Sequence, residues 1–357
     1  MNTPAISVII AMYNAEKYVA ECLDSLLNQT FQDFEVIVVD DCSTDFSRAV
    51  VYSFFPKFHD KLKLMKFKQN SGLPGMPRNY ALDMAQGKYV YFLDADDFLS
   101  TTALEELYNV AEEFNAEVVH VEKFLGFPED GDKNEATAGS IQQENFVTEP
   151  TLETLDLGKR VDDFTKRQYL WWSCNKLFLK KFLDDNNIKF TPIKVWEDMI
   201  FAFKCVATAK IYVRVPFVSY YYRIRKESLS HKAREVYSVL KTAFDVFNTL
   251  DSFMDTQEFF RENPEYKYKM LDFFMQDRLD GISENLLVTN DLTPEKLFKF
   301  LKTNIFNVNP EEYVAVMAYL FVNANMFKLY TKQQAEEIAA LKLQVEELKK
   351  IVLEVVN

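Results

Sequence analysis

The sequence predicts an α/β protein: a Rossmann-like, mostly parallel sheet with helices on both faces, then a helical region and a short heptad-patterned tail. Three observations carry that expectation. From Ile6 onward, short apolar runs alternate with segments of helical period, the pattern of strands buried on both faces and joined by crossover helices. Carboxylates cluster where those runs end, at Asp40 and Asp41 and again at Asp94, Asp96 and Asp97, and open parallel sheets bind ligands beyond the carboxyl ends of their strands. After Ala233 the β-rich runs give way to apolar stripes at helical spacing.

Taken in order, ISVIIAM is the first strand, and AEKYVAECLDSLLNQ is a helix with Val19, Cys22, Leu23, Leu26 and Leu27 on one stripe and Asn14 as its cap. FEVIVVDD is the second strand, followed by the helix DFSRAVVYSFF, capped by Thr44 or Asp45. LKLMKFK is the third strand. The helix in PRNYALDMAQG opens on Pro77 and stops at Gly87. KYVYFLD is the fourth strand. Thr102 with Glu105 forms a capping box for a helix running to about Phe114, and AEVVHVEKF is a further strand. Residues 126–160 are polar and weakly periodic, which reads as a surface insertion. WWSCNKLFLKKFL, KVWEDMIFAFKCV and the β-rich IYVRVPFVSYYYRI complete a first domain at 1–231.

Residues 232–330 form a second, helical domain, with Val236, Val239, Leu240, Ala243, Phe247 and Leu250 on one stripe. In the tail, 331–357, Ile338, Leu341, Val345, Leu348, Val352 and Val355 alternate by seven residues in steps of three and four. That is a coiled-coil seam, and its β-branched and Leu positions favour a homo-oligomer, a parallel dimer first. An amphipathic helix docked on its own protein is the competing reading, since about three heptads are marginal alone.

Composition narrows the function. Lys plus Arg number 41 against 54 for Asp plus Glu, a formal charge of −13 over 357 residues, which argues against nucleic acid or anionic lipid as the main partner. The four cysteines and three histidines show no zinc spacing, so reduced, buried thiols are expected. MNTPAISVIIAMY lacks a basic flank, and no window reaches about 18 uninterrupted apolar residues. A cytoplasmic protein without a transmembrane segment is expected, residence at the inner face of the membrane being left open.

Asp94, Asp96 and Asp97 lie within four positions and repel one another, which a bound cation relieves; a solvated turn capping the next helix is the plainer reading. Oxygen ligands favour Mg2+ or Mn2+ over zinc. Such an ion joins carboxylates to a diphosphate and supplies the positive charge this acidic chain lacks.

These residues also carry a resemblance. SVIIAMYNAEKYVAECLDSLLNQTFQDFEVIVVDDCSTD, NSGLPGMPRNYALDMAQGKYVYFLDADD and WED, in that order, resemble a family 2 glycosyltransferase with the GT-A fold, of the kind that builds bacterial cell-surface glycans. The resemblance spans residues 6 to about 231 and leaves the helical region and tail uncovered. It implies that Tyr13 and Asp41 flank the nucleotide base, with Asp41 accepting from a uracil-like ring N–H, and that Arg78 approaches the diphosphate or sugar. It puts Asp94 on the ribose and diphosphate side and Asp96 on the metal, with Asp97 supporting Asp96 or capping the next helix. It makes Asp198 the catalytic base and Glu197 an acceptor-orienting acid, against a simpler role as helix N-terminal acids. Trp171, Trp172 and Trp196 stack on acceptor sugars or pack in the core. Arg223, Arg225, Ser228, Ser230 and His231 form a closing segment over the diphosphate, with His231 a metal ligand or ordinary loop polarity.

The function expected is therefore inverting, metal-dependent transfer of a hexose or N-acetylhexosamine from a UDP-sugar to a hydroxyl of a glycan acceptor. A sugar-phosphate nucleotidyltransferase is the second enzyme reading, weakened by the lack of a glycine-rich phosphate loop in a chain with 8 glycines. A non-catalytic sugar-nucleotide-binding scaffold is the third.

Overall fold

The computed structural model describes residues 3–129, 137–140, 146–225 and 236–280. The described residues fall into two compact units, one of those up to 225 together with Ser252–Tyr266, the other of 236–251 together with 267–280. The tail and most of the region expected to be helical, 281–330, lie outside the described residues, as do Ser228, Ser230 and His231.

The first unit is built on one sheet. β1 (Ile6–Met12) is fully paired in parallel with β2 (Phe34–Asp40) on one side and with β4 (Tyr89–Phe92) on the other, and β3 (Leu62–Lys66) extends the parallel half beyond β2. These strands are continuous apolar runs because both faces are covered: β2 and β4 are buried at every residue. The other half is mixed. β9 (Lys176–Leu179) runs antiparallel between β4 and β6 (Val118–Pro128), and β6 pairs in parallel with the 13-residue β10 (Tyr212–Ile224). Three short strands, β5 (Phe98–Leu99), β7 (Thr137–Ser140) and β8 (Thr151–Leu152), add antiparallel pairs to β10, β6 and β10 respectively. Part of the polar stretch 126–160 is thus regular: β6 runs to Pro128, β8 follows, and α5 (Leu157–Thr165) opens on Asp156, whose side chain accepts from the Lys159 N–H.

Local signals at the helix starts resolve differently from expectation. α1 (Val19–Leu27) buries Val19, Cys22, Leu23 and Leu26, yet Asn14 does not cap it. Asn14 adopts φ of 49°, and its side-chain oxygen accepts from the Thr44 N–H at 2.9 Å, tying the loop after β1 to the loop after β2. α2 (Ser47–Phe58) does receive Asp45, whose Oδ1 accepts from the Ser47 N–H at 3.0 Å. The expected capping box does not form: at α4 (Ala103–Phe114) Glu105 accepts from the Thr30 hydroxyl instead, because a long-range partner displaces the local one. α3 (Gly75–Met84) begins two residues before Pro77 and ends at Met84. All four cysteines are unpaired, three of them buried.

α7 (Glu197–Thr208) buries Met199, Ile200, Phe201, Phe203, Cys205 and Val206. Around it, Phe92, Phe178, Phe190 and Phe201 pack ring to ring, with Phe190 and Phe201 stacked at 4.2 Å. This aromatic wall fixes the start of α7 beside the carboxyl end of β4. The chain continues through α8 (Val236–Thr256), α9 (Glu258–Glu262) and α10 (Pro264–Asp280). No helix among the described residues is long and apolar enough to cross a membrane.

Candidate active site

The carboxyl ends of three adjacent parallel strands present the residues singled out by sequence. Tyr13 follows β1, Asp41 follows β2, and Asp94 follows β4 by one residue. Tyr13 is 51% exposed, leaving a ring face open for stacking. Asp41 is buried and already engaged: Oδ1 accepts from the Ser71 N–H at 2.8 Å and Oδ2 from the Ser71 hydroxyl at 2.9 Å, while Asn70 donates to the Asp41 carbonyl. A carboxylate has about four acceptor positions, so capacity remains for a further N–H. Ser71 and Asn70 were not singled out in the sequence; no short pattern marks a serine that serves a carboxylate thirty residues earlier.

Arg78 organises the centre. Buried on α3, its guanidinium donates through Nη2 to Asp94 at 2.8 Å and through Nη1 to Glu197 at 3.1 Å and Asp198 at 3.4 Å. One planar fork joins the DADD and WED segments, which lie about a hundred residues apart in sequence. Burial pulls the guanidinium's affinity for its proton down, but Asp198, Asp94 and Glu197 overcome this and hold it well above its ordinary value. Three carboxylates on one cation leave excess negative charge. Burial, and then the neighbouring Asp198 charge, push Glu197 up to about 8 against the pull of Arg78. Asp198 is raised too, burial outweighing Arg78 and a hydrogen bond from Ser173. Its hydroxyl donor, Ser173, is 2.8 Å from Oδ1.

Both acids occupy the first turn of α7, where the helix dipole favours negative charge. The residue before them, Trp196, sits at φ of 72°. A bulky side chain in the left-handed region is a strained exception; here it turns the chain sharply into α7 directly ahead of Glu197. Trp171 lies under the Arg167 guanidinium, 5.8 Å from the ring centre. Trp172 packs on Phe124 and Tyr222 at 4.7 and 5.2 Å.

The acidic trio separates into three directions. Asp94 faces Arg78, Asp96 pairs through Oδ2 with Arg225 at 2.6 Å, and Asp97 is buried, accepting from the Tyr220 hydroxyl at 2.5 Å and the Arg223 N–H at 2.7 Å. Mutual repulsion is relieved by donors within the chain. Burial and then the Asp94 charge still raise Asp96, against Arg225; burial, Asp96 and Asp94 raise Asp97 further. Arg223 donates through Nε to the Asp96 carbonyl at 2.9 Å, pairs with Glu21, and lies over Phe127 and Tyr18. It braces the loop, whereas Arg225 meets the side chain of Asp96.

Among the described residues no three His, Cys, Asp or Glu side chains converge as a metal cage. Mg2+ generally takes one or two carboxylates and fills its octahedron with waters and substrate phosphates. Asp96 suits that pattern: its side chain is 23% exposed and an all-oxygen donor. Asp97 does not, since both its oxygens serve as fixed acceptors inside the core.

Comparison with known proteins follows the same outline. The model of glycosyl transferase family 2 matches residues 7–177. Poly(ribitol-phosphate) beta-glucosyltransferase of Bacillus spizizenii is 32% identical over 225 residues, covering 62% of this chain and 32% of that protein. Poly(ribitol-phosphate) beta-N-acetylglucosaminyltransferase TarS of Staphylococcus aureus is 32% identical over 224 residues, covering 62% and 36%. The chain therefore spans about a third of the length of these curated relatives. The crystal structure of S. aureus TarS 1–349 with UDP-GlcNAc matches with a TM-score of 0.62 at 26% identity, covering 83% of this chain and 78% of that one, and the UDP complex with 0.60 at 25% over the same shares. Residues 7–177 thus carry a domain that matches glycosyl transferase family 2, and the chain has the GT-A fold of the TarS structures.

Proposed function

We propose that the chain is an inverting, metal-dependent glycosyltransferase that moves a hexose or N-acetylhexosamine from a UDP-sugar to a hydroxyl of a cell-surface glycan or polymer. Related proteins named for poly(ribitol phosphate) and a neighbour holding UDP-GlcNAc favour N-acetylglucosamine or glucose as the sugar and a polyol phosphate polymer as the acceptor. The observation that carries the reading is the Arg78 fork, which holds the donor-side Asp94 and the acceptor-side Asp198 on one guanidinium.

In this reading Tyr13 stacks on the base and Asp41 accepts from its ring N–H; a base lacking that donor leaves the carboxylate short of a partner and is rejected. Asp94 and Asp96 face the diphosphate, and Asp96 holds Mg2+ or Mn2+, which when bound offsets the charge that develops on the leaving UDP. Arg225 sits beside Asp96, placed to contact the phosphates as the donor arrives. Asp198 takes the proton of the acceptor hydroxyl from the face opposite the departing diphosphate, as inversion requires. Glu197, raised to about 8, carries its proton at neutral pH and can hydrogen-bond an acceptor oxygen without adding charge. Trp171, Trp172 and Trp196 are the aromatic residues assigned to the acceptor sugars. The heptads at 331–357 bring copies of the chain together.

The test combines binding and turnover. A melting-temperature panel of nucleotide sugars with and without Mn2+ should single out the donor, because a ligand of the native state alone raises the melting point. UDP release from that donor should be lost in Asp96→Ala and on chelation. Asp198→Asn should bind donor normally and lose about 10²- to 10⁴-fold in rate. Turnover indifferent to chelator and to both substitutions would refute the assignment, and pyrophosphate release from a nucleoside triphosphate would favour nucleotidyl transfer instead.

A further inference from the structure

Behind Asp198 lies a buried assembly that the reading above does not use. Ser173, Cys174 and Asn175 form a single 3₁₀ turn leading into β9, all three buried. The next residue, Lys176, is wholly inaccessible to solvent. Its Nζ donates to the carbonyls of Leu170 and Trp172 and to the Asn175 side-chain oxygen, the last two at 2.7 and 2.8 Å. Three oxygens surround it and none belongs to a carboxylate. An ammonium has three protons for three acceptors, whereas a neutral amine has two, so the cage is closed only by the charged form.

The cage is anchored to the sheet. The Asn175 amide donates to the Val121 carbonyl in β6 at 2.8 Å, and the Tyr91 hydroxyl of β4 donates to the Cys174 carbonyl at 2.5 Å. What it holds is the backbone on either side of Trp171 and, immediately after, Ser173. The Ser173 hydroxyl donates to Asp198 Oδ1, the same oxygen that Arg78 reaches. Among the described residues both contacts of this carboxylate fall on Oδ1, which leaves Oδ2 to take a proton. A single buried lysine thus fixes the backbone of the segment, and the segment fixes one oxygen of the acid.

We propose that Ser173 and Lys176 are positioning residues for Asp198: the Lys176 ammonium pins residues 170–172 so that the Ser173 hydroxyl clamps Oδ1 and aims Oδ2 at the acceptor hydroxyl. This rests on Asp198 being the base. The two residues also act on its charge in one direction, since the Ser173 hydrogen bond and the Lys176 charge each favour the carboxylate over the acid. Burial lowers Lys176 to about 7, opposed first by Cys174 and Cys205 and after them by Asp198. Removing either residue therefore raises Asp198 and moves the acid limb of the rate profile to higher pH.

The experiment uses the full chain, the donor identified by the melting panel, and water as acceptor, reading UDP release from pH 5 to 9. Ser173→Ala deletes one buried oxygen and leaves the fold least disturbed. It should lower kcat about 10-fold with donor KM unchanged, and displace the acid limb upward by about one unit. Lys176→Met should do the same and, because the chain's three tryptophans are Trp171, Trp172 and Trp196, should also shift intrinsic emission. Circular dichroism checks that it folds, and Ser173→Ala decides the matter if it does not. A Ser173→Ala profile superimposable on wild type, or lowered without movement of the acid limb, overturns the proposal while an inactive Asp198→Asn leaves the base in place. An Asp198→Asn enzyme at full rate, or a wild type that releases UDP from no donor, overturns the reading and the proposal together.

Discussion

Arg78 illustrates how much one side chain can set at this site. A lysine would keep the charge but not the fork, so it cannot serve Asp94 and Asp198 in the same geometry. Arg78→Lys should lower stability by about 1–3 kcal/mol and the transfer rate by at least about 10-fold, checked by denaturant melts and UDP release. Glu197 supplies a test with a defined sign. Its folded-state value of about 8 lies above its ordinary value of 4.5, so its contribution to stability is full below about pH 4.5 and is lost as pH rises through about 8. Glu197→Gln removes that titration. The variant should flatten the decline in melting temperature between pH 5 and 9 and sit about 2–4 °C above wild type near pH 9; a decline as steep as wild type would show that another group is responsible.

At the scale of the element, Gly87 shows why a correct mark in the sequence can have a different cause. Its expected role was to end a helix, but that helix ends at Met84 and Gly87 does not take the left-handed conformation. A Cβ there would stand 2.5 Å from the Ser7 nitrogen and 2.7 Å from the Ile6 carbonyl carbon, and the Gly87 N–H donates to the Ser7 hydroxyl at 2.8 Å. The residue lets the approach to β4 lie against the start of β1. Gly87→Ala should cost about 1–3 kcal/mol and, by shifting β4, weaken donor binding, as a melting curve and a donor titration will show. The strands and the acids at their ends were legible because burial on both faces leaves continuous apolar runs and because carboxylates at such edges are conspicuous. Ser71, Ser173 and the choice of Arg225 over Arg223 as the partner of the Asp96 side chain were not. Each depends on a hydrogen bond between segments far apart in sequence, and no periodicity records such a bond.

For the whole molecule, the family domain accounts for residues 7–177, yet the proposed catalytic acids at 197 and 198 and the long strand β10 lie beyond that match. The compact unit also takes in Ser252–Tyr266, where Phe260 packs against Phe203 of α7 and a Cβ on Gly158 of α5 would strike Tyr266. A boundary for a minimal catalytic fragment belongs after these residues, and a fragment ending at 231 should melt lower than one ending at 266, as paired thermal scans will show. The heptad pattern at 331–357 carries the proposed assembly, which truncation tests. Truncation before Ala335 should reduce the particle mass by light scattering, with UDP release per chain unchanged; an unaltered mass assigns the tail to its own subunit.

The separation between Arg78 and its partner Asp198, 120 residues, bears on how the protein is made. At about 5–20 residues per second, a ribosome adds that length in roughly 6–24 s. Throughout that interval the emerging amino-terminal half carries a guanidinium lacking two of its three carboxyl partners, and β4 waits with its outer edge bare until β9 is threaded beside it. Nascent-chain handling by chaperones should accordingly be concentrated on lengths between those two landmarks.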